Sequence, residues 1–208
     1  MKMKNIDRKS LEKSSIEAIM KGDSIEGYLI EGGDIDDAEI SELSLDNTVL
    51  ENVSLNQSKI DDFSMTESLL SKCSLAGVET ESSFFLRSQI SSCRMQGIQL
   101  SQARMSDSII IGSKLASTNF RYAKLKNVIF ENCDMADVDF IGAELVNVTF
   151  KGCSLQKAIF SQSTLSNVDL SGSDIQDIVI EDKAVKEVFV DTGQALYLSS
   201  IFGLKIRD

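Results

Sequence analysis

From Ile25 to Ile180 every fifth residue is apolar, and the phase holds over 32 positions with one exception, Thr80. A period of five excludes the two common secondary structures. An α-helix turns ~100° per residue, so successive members would be rotated by ~140° and no face would be buried. A straight strand alternates faces every two residues, so an odd period would throw successive large residues to opposite sides. The conflict disappears if each pentad is one short extended side ending in a corner. Two positions before each large residue, 26 of 32 residues are Gly, Ala, Ser, Thr, Cys or Val, so each side has a small and a large inward position. Two positions after it, 20 of 32 are Gly, Asn or Asp, types that tolerate a left-handed corner. The chain has no proline, which suits a stack whose every layer donates backbone N–H groups to the next.

The repeating unit, seen in Ala143-Glu144-Leu145-Val146-Asn147 and Ala123-Lys124-Leu125-Lys126-Asn127, resembles the pentapeptide-repeat proteins. This resemblance implies an all-β solenoid: a right-handed quadrilateral parallel β-helix, four pentads to a turn, with short N-terminal and C-terminal α-helical caps. Residues 1–22 are then the N-terminal cap, 23–185 the coil, and 186–208 a C-terminal capping and dimerisation segment. At ~4.8 Å between neighbouring strands, about eight coils make a rod roughly 38 Å long.

The ends read differently from the repeats. Residues 9–21 suggest a short helix carrying Leu11, Ile16, Ile19 and Met20 and closed by Gly22. At the other end, Asp191 or Thr192 can N-cap a helix containing Leu196, Leu198, Ile201 and Phe202, with Gly203 at its C-terminal end. Two readings stay open here: a cap alone, or a cap that also joins two chains into a homodimer through those four residues, as the resemblance implies for several members. No stretch has transmembrane length or the form of a signal peptide, so the expected location is cytoplasmic, with no membrane role.

Little points to chemistry. The chain has no histidine, which removes the commonest general base and metal ligand. Cys73, Cys93, Cys133 and Cys153 all take the small inward position, separated by 20, 40 and 20 residues, with Ser113 on the missing rung. Such a ladder in a packed interior predicts reduced core thiols, since a zinc site needs ligands converging on one point. No catalytic residue, cofactor or metal is expected. At Thr80 a local irregularity is predicted, and Thr80→Leu should be tolerated if the site is under-packed.

The net charge of −11 is unevenly spread. Residues 23–82 hold fifteen acidic and two basic groups, whereas 83–128 hold one and seven. Asp34, Asp36, Asp37, Glu39, Glu42 and Glu51 make the first coils intensely acidic. Among the proteins that the repeat resembles, the quinolone-resistance and mycobacterial gyrase-protecting proteins mimic a DNA duplex and occupy the DNA site of topoisomerases. That implies a protein partner such as DNA gyrase and no direct nucleic-acid binding. The basic band from Arg87 to Lys126 interrupts any continuous phosphate-like track. A second candidate surface is an outward apolar stripe of Val49, Leu69, Ile109 and Ile129, spaced by 20 and 40 with Gln89 in the gap. Such a stripe suits a scaffold with no topoisomerase connection. The expected function is therefore a non-catalytic protein-binding rod, either a DNA mimic acting on gyrase or an interaction scaffold.

Overall fold

The computed structural model describes residues 6–20 and 24–205, excluding the side chains of 182 and 186. Among these residues sixteen short strands pair, all in parallel, into one sheet wound as a right-handed solenoid of about 9 turns. Residues 20 apart are neighbours. On one wall Leu29, Val49, Leu69, Gln89, Ile109, Ile129, Thr149 and Asp169 stack in that order. We number the walls by their place in the first full coil: residues 24–26, 29–31, 34–36 and 39–41, each continuing in steps of 20.

The interior is built by the large position of each pentad, buried from Ile40 to Ile180 except at Thr80. In the lower half this position is often Phe. Phe120, Phe140 and Phe160 stack nearly parallel with centroids 5.1 and 5.0 Å apart, and Phe130 stacks on Phe150 at 5.1 Å. Edge-on contacts, such as Phe140 to Phe150 at 6.0 Å, join the two columns. Each such pair contributes about 0.5–1.5 kcal/mol beyond the area it buries.

The four cysteines point into this core and are free thiols. Ser113 fills the rung between them, its Oγ accepting the Cys93 N–H at 3.1 Å. The neighbouring Cys73 thiol, and then burial, push the Cys93 thiol up; Cys153 and burial do the same to Cys133.

The corners divide into two kinds. From Gly27 to Asp177 the corner residue has a positive φ in every pentad except those of Glu42, Asp62 and Ser82, which lie one above another. At those three the strand passes through the bend unbroken, over Glu39–Asp46, Lys59–Thr66 and Glu79–Leu86. Leu43 and Phe63 fill the inward position just after this wider bend, and Phe63 meets Phe85 edge-on at 5.3 Å. One turn later Gln102 is left-handed and Ala103 follows. Thr80 lies in the last wide coil. Its Oγ1 donates to the Gln99 carbonyl at 2.8 Å and lies 2.7 Å from Ser83 Oγ. The predicted irregularity is thus a change of corner form, with a hydroxyl pair in place of a large apolar side chain.

The N-terminal segment departs from the expected helix over 9–21. Arg8–Ser10 is a 3-10 turn, Glu12–Ser14 is a strand pairing with Tyr28–Ile30, and only Glu17–Met20 is α-helical; Gly22 lies outside the described residues. The upper coil would otherwise end in a row of unpaired backbone groups, and pairing that edge outweighs the small stability of a short helix. Ile16 sits where a Cβ on Gly33 would be, and Ile19 is buried beneath it, so these two residues plug the coil. At the lower end the helix Thr192–Ile201 starts on a capping box between Asp191 and Gln194. Gln194 also donates to the carbonyls of Leu170 and Ser173, each at 2.7 Å, which fastens the helix to the last coil.

Candidate protein-binding surfaces

The six acidic candidates are divided among three walls. Glu51 is on the second wall, clamped by Arg8 at 2.6 Å and Lys72 at 3.3 Å. Asp34, Asp36 and Asp37 lie on the third wall and its corner. Asp36 is committed to structure: its carboxylate accepts from Ser54 Oγ and from the backbone and side chain of Asn56. Partial desolvation raises its pKa, but those hydrogen bonds outweigh it and hold the group below the usual aspartate value. Glu39 and Glu42 are exposed on the fourth wall and the wide corner that follows it.

Strand pairing extends this last pair into a larger patch. Glu39 stacks on Lys59 and Glu79, and Glu42 stacks on Asp62. Asp61 and Glu81 lie beside them. Six carboxylates thus share three rungs around one cation, Lys59, whose Nζ is 3.3 Å from Asp61 and 3.8 Å from Glu81. Asp61, Asp62, Glu79 and Glu81 were absent from the sequence-based candidates. Adding 20 and 40 to 39, 41 and 42 would have found them, because the unbroken strand through the wide corner keeps all three columns together.

The apolar stripe is in register as expected, but its upper end is not available. Val49 is buried, with no exposed surface. Arg8 reaches Glu51 on the same strand, which brings the N-terminal segment onto this end of the wall. Leu69, Ile109 and Ile129 remain half-exposed. Next to them an open depression of about 360 Å³ is lined by Asp107, Asn127, Ile129, Asn147 and Thr149. Its corner is rigid: Asn167, Asn147 and Asn127 each donate to the residue 20 before, ending on Asp107, at 2.8–2.9 Å.

At the C-terminal end the four dimerisation candidates separate. Leu198 is buried in its own core, so it caps its own chain, and Phe202 packs partly against the same core. Leu196 and Ile201 are 52% and 42% exposed, and Leu204 and Phe189 add apolar surface that was not foreseen. No group of three or more potential ligands able to hold a metal occurs among the described residues. No helix among them is long and apolar enough to cross a membrane.

The pentapeptide repeat region family matches residues 83–160 and again 103–180, in the same five-residue phase that builds the walls. The chain is a pentapeptide-repeat protein. Among solved structures of such proteins, trypsin-treated QnrB1, a plasmid-mediated fluoroquinolone resistance protein, is similar at 22% identity, covering 89% of this chain and 91% of that one, with a TM-score of 0.50. HetL, a pentapeptide repeat protein involved in heterocyst differentiation regulation from the cyanobacterium Nostoc sp. strain PCC 7120, shares 16% identity over 84% of this chain and 92% of its own, with a TM-score of 0.43. No curated protein matches. At these identities the likeness establishes the fold alone.

Proposed function

We propose that this pentapeptide-repeat protein is a non-catalytic, cytoplasmic protein-binding rod that docks through its acidic fourth wall. The observation that carries the reading is the alignment of Glu39, Glu42, Asp61, Asp62, Glu79 and Glu81 on three consecutive rungs with one interspersed lysine. Rungs ~4.8 Å apart place carboxylates at a density comparable to the phosphates of duplex DNA, one charge per ~1.7 Å of axis. A protein that holds DNA in a basic groove, DNA gyrase first among them, is the partner this wall suits. The partner's contact is confined to the upper coils, because below Glu79 and Glu81 the same wall carries Gln99, Asn119 and Arg121 instead of carboxylates. Two chains joining through Leu196 and Ile201 would present two such walls.

A DNA-competitive effect on gyrase supercoiling at low salt tests the reading. Reversing charge at Glu39, Glu42, Asp61 and Asp62 should abolish the effect with the circular-dichroism spectrum unchanged. No gyrase binding at low salt would refute the mimic. The second reading, a scaffold unrelated to topoisomerases, is favoured by the segmentation of the charged surface and by Leu69, Ile109 and Ile129 on the second wall. Ile109→Lys with Ile129→Lys should then abolish partner capture while charge reversal on the fourth wall leaves it intact.

A further inference from the structure

The first wall carries a different pattern from the fourth. One outward column runs Ser44, Ser64, Phe84, Arg104, Lys124, and the column beside it runs Asp46, Thr66, Leu86, Ser106, Lys126. The middle rung is apolar, with Phe84 39% exposed on the outside of the coil. Below it lie cations. Above it lie hydroxyls and Asp46, flanked at the wide corner by Asp62. Among the described residues Arg104 and Lys126 have no ion pair, and Asp46 and Asp62 have no ionic or hydrogen-bonded side-chain partner; only Lys124 is engaged, with Glu144 at 3.0 Å. Two like-charged groups of opposite sign, both unneutralised, thus sit at matched distances on either side of an exposed aromatic strip.

This arrangement is self-complementary. A half-turn about an axis along the Phe84–Leu86 strand carries each rung below it onto the rung equally far above. Phe84 and Leu86 then meet their own copies, Arg104 faces the rung of Ser64 beside Asp62, and Lys126 faces the rung of Asp46. We propose that the first wall binds a second copy of this chain, the two rods lying side by side and antiparallel in an isologous contact. The contact is separate from the C-terminal helix and shares only the corner residue Asp62 with the acidic patch of the fourth wall. The five rungs from Ser44 to Lys124 span only about 19 Å, less than a standard interface provides. Association is therefore weak, concentration-dependent and reduced by salt, with charge setting the register and the Phe84 strip excluding water.

Sedimentation velocity tests the contact in a chain also carrying Leu196→Asp and Ile201→Asp, which removes any association through the helix. This chain should self-associate at high micromolar concentration in low salt and dissociate in high salt. Adding Arg104→Glu with Lys126→Glu should make it monomeric, as should adding Asp46→Lys with Asp62→Lys. Because the axis pairs each group with its opposite, an equimolar mixture of these two variants should form a one-to-one complex that neither forms alone. A background chain that stays monomeric in low salt overturns the proposal, and so does undiminished self-association of either charge-reversed variant. Failure of the mixture to pair overturns it as well, provided both variants keep the β-rich circular-dichroism spectrum.

Discussion

Individual residues hold the solenoid through position more than through type. Phe140 touches rings on three sides, so Phe140→Ala should cost about 3–5 kcal/mol in denaturant unfolding, near the top of the range for core truncations. Thr80 reverses its first reading. Its hydroxyl serves the Gln99 carbonyl and the buried Ser83 hydroxyl, so Thr80→Leu should destabilise by about 1–2 kcal/mol, the cost of leaving those groups unpaired. The inward place of the cysteines was legible in their spacing of 20 and 40, and so was Ser113 as the missing rung. In the native chain the four thiols should react slowly with an aromatic disulfide reagent, and all four should titrate in denaturant. The left-handed corners at Lys72, Arg87, Tyr122 and Lys157 were not legible. None of these residue types favours that conformation, and the ladder of neighbouring coils imposes it.

Elements were readable where the five-residue phase governs them and obscure where it stops. The C-terminal helix followed from Asp191 and Gly203, but the second task of Gln194, reaching back to Leu170 and Ser173, depends on a contact across the chain that no local pattern encodes. Gln194→Ala should cost roughly 1–3 kcal/mol by stranding the Ser173 carbonyl, the Leu170 carbonyl keeping the Ser173 N–H as a donor. Backbone donors from Gln194 and then Gly172 hold the Asp191 carboxyl below its ordinary value of 3.8. The charged form is thus favoured in the native state. The stability it adds is complete above that ordinary value and is lost as pH falls through the lower folded value. Acid titration of the helix signal should show this loss, and Asp191→Asn should remove the dependence. The strand Glu12–Ser14 escaped sequence reasoning because its apolar spacing suits a short helix, and the unpaired edge that recruits it exists only after the first coil has formed.

At the scale of the whole molecule, the solenoid turns one sequence into four surfaces that differ in charge and polarity. The acidity of the upper coils was legible as composition. Its concentration on the fourth wall was legible only by counting in steps of 20; the wide corner at Glu42, Asp62 and Ser82, which departs from the left-handed corner of the other pentads from Gly27 to Asp177, was not legible at all. The burial of Val49 was not legible either, since nothing in the five-residue pattern separates it from the half-exposed Leu69 on the next rung. The claim that the fourth wall is the docking face is tested most directly by carboxyl footprinting of the chain with and without saturating DNA gyrase, read by mass spectrometry. Carbodiimide labelling of Glu39, Glu42, Asp61, Asp62, Glu79 and Glu81 should fall several-fold in the complex, while Asp134 and Asp174 on the third wall label as before. Unchanged labelling of those six carboxylates in the presence of gyrase would contradict the account.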